Sequence, residues 1–431
     1  MTVHTSSIIL STEAIGLRPV QLAWLAAAVF VVSAGYGALM PLLPGWMTPM
    51  LTGATATEIA RHIGFLSGVY SAGVLIWAPL WGVVSDRVGR GRILIIGLVG
   101  YVASLLLMLV PALAGLWGIY ALRGATGFFV AAVVPVVSAL VADYTPEEQR
   151  ARRFAWLGAM SLLGFLFGPG LNALADGVGS WAGEGAASPA RSAQIVIVLS
   201  ALLGAIMMLG LAWSLPTSRT PDAAAQNDRV TTPNERTAAL WCLSGAVMFV
   251  LAGFELGIVL QGQQHTSLSS REVALMFAEC SLVMLGINAL LFFTSLLEKT
   301  SARSLMSAGL ILAMAGLTVL AQHRSEAWMY LGVSLTAAGT GLVLPVISYL
   351  AAGTSRQKLG VTMGGLAAAA GLGQTLGSSV GGWLFGALAQ RSFGWLTLPL
   401  VAILILLVAR QGWWSAIPAE FTRRSTGGSR F

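Results

Sequence analysis

Three ionisable side chains stand inside long runs that otherwise carry no charge: Arg123, Glu255 and Glu279. A guanidinium in such a run costs about 2.5–3.5 kcal/mol even on the gentler insertion scale, so it persists only beside a partner or water. A carboxyl in low dielectric favours its neutral form, and its hold on a proton changes as water enters or leaves. Reversible proton binding inside an apolar medium is therefore the chemistry these residues offer. Plainer roles fit them too: a structural ion pair or an outward-reaching arginine for Arg123, a hydrogen bond inside a helix bundle for each glutamate. Enzymatic chemistry finds no footing. His4, His62, His265 and His323 sit near loops or ends with no partner at metal-ligand spacing, and the chain has no phosphate loop and no nucleophile constellation. Cys242 and Cys280 lie inside apolar runs and read as small core residues rather than a disulfide framework.

Such residues need an apolar host, and the composition supplies one. Charged residues make up 10% of the 431-residue chain, against roughly 25% in soluble domains. A water-soluble surface cannot be built from so few charges, so the chain reads as an integral membrane protein. Its length accommodates about twelve spans of roughly 20 residues. Apolar windows place them near 20–42, 62–84, 92–111, 115–141, 154–176, 193–215, 238–261, 272–296, 304–321, 327–351, 359–388 and 393–412. All are expected to be helical, because an open strand edge cannot be satisfied in lipid.

Charge placement gives the topology. Lys and Arg in alternate connections total 18 on one side and 5 on the other, with Arg123 left inside a span. That bias follows the positive-inside rule and puts both termini in the cytoplasm, so the net charge of +7 reflects topology rather than a nucleic-acid surface. Residues 1–18 lack the basic–apolar–small pattern of a cleaved signal peptide, which leaves the first span as the targeting element.

The segment 216–237, with three prolines and mixed charge, reads as a flexible cytoplasmic linker. It divides the chain into a six-helix bundle at 1–215 and a second at 238–431, the latter with a short cytoplasmic tail. The halves echo each other. Residues 133–142 of the fourth span align with 343–352 of the tenth, sharing a proline and a serine in register. Gly164 and Gly168 of the fifth span correspond to Gly377 and Gly381 of the eleventh. Duplicated halves with a substrate path between them are a secondary-transporter architecture. A short amphipathic cytoplasmic helix is expected from Thr145 to Arg153, ahead of the fifth span.

Between the second and third spans lies a charged, glycine-rich turn, Gly82-Val-Val-Ser-Asp86-Arg87-Val-Gly89-Arg90-Gly91-Arg92. It resembles the cytoplasmic loop signature of the major facilitator superfamily, departing only where Gly91 stands for a usual base and Arg92 supplies the charge one residue later. Three further elements resemble the twelve-helix drug/proton antiporter branch of that superfamily. They are Gly35 to Pro44 with its Pro41/Pro44 pair, Arg123 followed by Gly127, and Gly164-x-x-x-Gly168-Pro169. The last departs from the family pattern at Asn172 and Ala173, where two glycines are usual.

The resemblance implies an all-α membrane protein of twelve transmembrane helices in two pseudo-symmetric six-helix bundles, covering nearly the whole chain. It also implies export of a small organic molecule in exchange for protons by alternating access. Proton-symport import of a nutrient or metabolite, and a non-transporting membrane sensor or assembly protein, stay open. In this picture Arg123, Glu255 and Glu279 couple protons, while Gly82, Asp86, Arg87, Gly89 and Arg90 form a cytoplasmic gate. Pro41, Pro44, Gly164, Gly168 and Pro169 pack or bend helices. Tyr36, Phe128, Phe254, Gln261, Tyr349 and Gln374 are candidates for a substrate cavity. Two glutamates against one arginine lean that cavity toward a neutral or cationic ligand.

The expected setting is the inner (plasma) membrane, with the protein a monomer in the lipid bilayer that uses no cofactor beyond the proton gradient, no metal and no nucleic acid. Asp86→Asn is expected to impair transport while leaving membrane insertion intact; fractionation paired with a flux assay checks this, and wild-type flux refutes the gate role.

Overall fold

In lipid every backbone N–H and C=O must be satisfied within its own segment, so apolar runs wind into helices. The computed structural model describes residues 17–113, 115–145, 147–181, 189–215, 235–264, 268–294, 296–323, 325–352 and 359–409, and contains no strand among them. The expected linker lies outside the described residues from 216 to 234, as do the first 16 residues and the tail after 409.

The first span is α1 (Pro19–Leu39) continued by α2 (Leu43–Met47), and α3 (Ala56–Val88) and α4 (Arg90–Leu107) are the second and third. The fourth is α5 (Leu116–Val130) with α6 (Val134–Asp143), followed by α7 (Glu147–Trp181) and α8 (Pro189–Ser214). The second half opens with α9 (Glu235–Gln264) and α10 (Ser270–Phe293), then a short α11 (Leu296–Lys299). It closes with α12 (Ala302–Gln322), α13 (Glu326–Ala352), α14 (Leu359–Leu388), α15 (Ser392–Trp395) and α16 (Thr397–Ala409).

Among the described residues eleven helical stretches are long and apolar enough to cross a membrane, the last being Thr362–Ala409 at 48 residues. A straight helix of that length would run about 72 Å, more than twice the ~30 Å hydrocarbon core. It is two rods. The chain turns through a short 3₁₀ segment, Ala389–Arg391, where Ala389 takes φ 51°.

Three local features differ from the sequence reading. The first span, placed near 20–42, does not stop at Pro41 and Pro44. Each sits in the first turn of a new short segment, 3₁₀ Met40–Leu42 and then α2, where its missing N–H is not required, and the run continues to Met50. The separate helix expected at 145–153 is instead the start of α7, because neither Gly nor Pro interrupts residues 147–157. Finally, the echoed prolines differ in backbone. Around Ala131–Val133 the chain leaves α-helix, with Ala132 N bonding Phe129 O at 3.0 Å and Val133 N bonding Val130 O at 2.9 Å, so Pro135 opens α6. Its counterpart Pro345 lies inside an unbroken α13.

Packing repeats with a shift of six spans. In the first half α1 packs on α7 and α8, α3 on α5, and α4 on α5 and α8. In the second, α9 packs on α14 and α16, α10 on α13, and α12 on α13 and α16. The halves meet along α3 against α14 and α7 against α10. Even the helix starts repeat. Thr55 and Glu58 form a capping box on α3, and Ser269 and Glu272 form the same box on α10.

The two glycine pairs do the same job in each half. A Cβ on Gly168 would lie 2.6 Å from Gly37 C, and one on Gly164 2.8 Å from Ser33 Cβ, so α7 lies close along α1. A Cβ on Gly377 would sit 2.8 Å from Phe249 Cα, and one on Gly381 3.0 Å from Gly253 Cα, which brings α14 equally near α9. Gly170, one step off this face, has nothing within 4 Å. Gly168→Ala is therefore expected to cost about 1–3 kcal/mol through overpacking, whereas Gly170→Ala is neutral or stabilising by up to about 1 kcal/mol. Thermal unfolding in detergent measures both.

Candidate functional site

The charged turn owes its shape to one residue. Gly89 takes φ 105° and ψ 129°, a backbone that L side chains rarely adopt, and it ends α3 and starts α4 at once. Arg90 then faces back over the turn. Its guanidinium pairs with Asp86 at 2.9 Å, reaches Ser85 Oγ at 3.4 Å, and its Nε donates to Asp143 at the end of α6. Arg90 thus ties three helix ends of the first half. Arg87 is exposed and makes no ion pair with the described residues. Among the described residues the ion pairs of the expected gate form at Arg90 alone, and they stay within one half.

At the other end of the molecule the halves are sealed. A Cβ on Gly64 would lie 2.7 Å from Gly382 Cα and 2.8 Å from Ser378 O, and one on Gly386 2.8 Å from Thr57 O. Thr57 Oγ1 donates to Gly386 O at 2.6 Å across the same seam. Contact continues down to Leu75 against Gly371, 3.1 Å from a Cβ there. Gly82 and Gly364 lie seven residues beyond Leu75 and Gly371 on the same helix faces, and neither has anything within 4 Å. The seam is closed at one end and parted at the end that carries the charged turn.

Arg123 sits beside the sealed part of the seam, next to Tyr70, five residues before Leu75 on α3. It is 2% exposed, with its Cζ 4.7 Å from the Tyr70 ring centroid and 6.0 Å from that of Tyr36. Tyr36 and Tyr70 themselves stack at 5.1 Å, and Tyr101 lies within electrostatic range. The cation is held by aromatic faces. Its Nε and Nη2 have no hydrogen-bond partner among the described residues.

Arg123 forms no ion pair with a carboxylate among the described residues. Tyr36 lies within electrostatic range of both Arg123 and Glu255, so the tyrosine links the cation of α5 in the first half to the carboxyl of α9 in the second. Glu279 is placed differently. It accepts a 2.5 Å hydrogen bond from Ser334 Oγ of α13, while its Oε2 has no partner among the described residues. Cys280 lies within electrostatic range of both glutamates.

The cavity candidates divide. Tyr36 belongs to the cage. Phe128 packs between Trp77 (5.2 Å) and Trp81 (5.0 Å), and Trp81 Nε1 donates to its carbonyl at 2.8 Å. Phe254 is corrected: at 0% exposure it is core and lines nothing. Gln261 is also fully buried, with both amide atoms unpartnered, as are those of buried Asn172. Tyr349 is exposed on α13 and Gln374 is partly buried on α14. Sequence reasoning missed Tyr70 and Ser334, whose partners lie 53 and 55 residues away with no periodic signal, and it assigned Asp143 no partner.

Among known proteins, the profile of the Major Facilitator Superfamily matches residues 25–291, more than half of the chain. The chain therefore belongs to the Major Facilitator Superfamily and is a multi-pass integral membrane transporter rather than an enzyme. It is 25% identical over 401 residues to a class E tetracycline resistance protein of Escherichia coli, covering 89% of this chain and 94% of that one. Identity to a class B tetracycline resistance protein of Escherichia coli is 34% over 191 residues, but the match spans only 44% of this chain and 42% of that protein. Multidrug resistance protein 2 of Bacillus subtilis (strain 168) is 25% identical over 294 residues, 66% of this chain and 70% of that one. The fold is shared with the human organic anion transporter MFSD10 (TETRAN), TM-score 0.66 at 19% identity, covering 90% of this chain and all of that one.

Since aromatic faces rather than hydroxyls hold Arg123, Tyr70→Phe is expected to keep wild-type stability. Tyr70→Leu should lose up to about 2 kcal/mol, the size of a desolvated cation–π contact. Thermal unfolding of the two variants side by side measures the difference.

Proposed function

We propose that this chain exports a small organic molecule in exchange for protons, by alternating access between its two halves. One observation supports this above the rest. Tyr36 has Arg123 of the first half and Glu255 of the second within electrostatic range, on the sealed side of the seam. A group that binds a proton there also alters the interaction between the halves. Similarity to proteins named for tetracycline and multidrug resistance favours export over uptake.

The charge bias of the connections supports a cytoplasmic side for the parted end and for both termini, in a protein of the inner membrane. The conformation is then the one that loads cargo from inside, with the α3–α14 seal facing out. In the opposite conformation the charged turn would approach α14, and the exposed Arg87 is available for that contact. The working unit is one chain in the lipid bilayer, with 216–237 as linker between bundles 1–215 and 238–431. It needs a small-molecule substrate and a proton gradient but no cofactor or nucleic acid.

Of the two glutamates, Glu255 is the coupling group, because Glu279 is engaged by Ser334 within its own half. In proteoliposomes with an imposed pH gradient and tetracycline as the first compound screened, wild-type flux should follow the gradient. Glu255→Gln should lose that dependence, and Glu279→Gln should slow flux several-fold but keep it. Gradient-driven flux surviving in both variants would remove the glutamates from coupling.

A further inference from the structure

We infer that the substrate carries an anionic group on an aromatic body, and that a carboxylate of this kind docks on the Nε–Nη2 edge of Arg123. The inference rests on the proposed export for what it says of transport, not for what it says of binding.

Nε and Nη2 lie side by side on one edge of the planar guanidinium, where their N–H bonds run parallel at the spacing of two carboxylate oxygens. Both are unpartnered among the described residues although the side chain is 2% exposed. Buried donors of a charged group are ordinarily filled. The rings of Tyr36 and Tyr70 attract the cation through their faces but do not bond to its in-plane edge. An arginine kept for a structural ion pair would have this edge filled by a carboxylate of its own chain. Here Glu255 lies beyond Tyr36, and Glu279 is held by Ser334. The edge suits something that arrives and leaves.

An aromatic body has a surface to follow. Trp77 lies seven residues beyond Tyr70, on the same face of α3 and toward the parted end of the seam. It is 41% exposed and stacks edge-on with Phe128 at 5.2 Å. By count, two glutamates against one arginine favour a cation. By placement they do not, because only the arginine presents two unfilled donors on one edge in the interior.

The test uses the purified full chain in nanodiscs and three probes sharing one ring: 2-naphthoate, 2-naphthamide and 2-naphthylmethylammonium. Energy transfer from tryptophan to naphthalene reports binding. Wild type should bind naphthoate at least tenfold more tightly than either other probe. Arg123→Gln should abolish that preference by weakening naphthoate alone, and Arg123→Lys should restore part of it. Absent naphthoate binding, equal or tighter binding of the amide or ammonium by wild type, or a preference surviving in Arg123→Gln, overturns the inference. The wild-type ranking needs no variant, so misfolding of Arg123→Gln does not remove the test. Naphthoate preference without gradient-driven flux of any compound would strike the export reading alone. Gradient-driven flux of the ammonium with no naphthoate preference would strike this inference alone.

Discussion

Two helices can lie backbone to backbone only where neither presents a side chain, and the molecule is arranged around one such contact. Along α3 and α14, Gly64 meets Ser378 and Gly382, and Gly386 meets Thr57, so closely that a single methyl would collide with backbone, while one on Gly68 would strike Ser379 Oγ. Small residues drive such approaches in membranes, where lipid gives helices no hydrophobic reason to associate. The same two faces carry on toward the charged turn but no longer touch. A seam closed at one end and open at the other gives the chain an interior with one mouth.

That interior determines what the buried charges can be. Arg123 sits beside Tyr70, on the sealed side of the last seam contact at Leu75 and Gly371, stabilised by tyrosine rings rather than by an opposite charge. The rings hold the guanidinium without neutralising it, and one of them, Tyr36, also lies within electrostatic range of Glu255 in the other half. The charged turn takes a complementary part. Arg90 is shared between Asp86 and Asp143, which ties the ends of α3, α4 and α6 together. Rigid halves moving about a small-residue seam are what rocking motions in duplicated transporters require.

The architecture was largely legible in the sequence because its causes are compositional. Uncharged runs of span length, alternating basic connections and the glycine pairs at 164/168 and 377/381 all follow from lipid as the solvent. A further internal echo went unread: Thr55-x-x-Glu58 and Ser269-x-x-Glu272 open corresponding helices of the two halves with the same cap. The misread places were local. Pro41 and Pro44 looked like helix stops, yet a proline in a first turn restarts a helix as readily as it ends one. The site was half legible. Arg123 and Glu255 stand out because charge is rare in lipid, whereas Tyr70 is one aromatic among many until the fold sets it over the guanidinium. Phe254 erred the other way, since an aromatic on a cavity-forming helix can still face the core. Distance along the chain hid Asp143 from Arg90 in the same manner.

The central claim, a seam sealed at one end and parted at the other, is tested most directly by pulsed electron–electron spin resonance. Spin labels at positions 82 and 364 would be read in nanodiscs, with Cys242 and Cys280 replaced. The account predicts a distance far longer than that of touching helices, joined by a second, shorter population when a transported compound is added. A single short distance under every condition would contradict it.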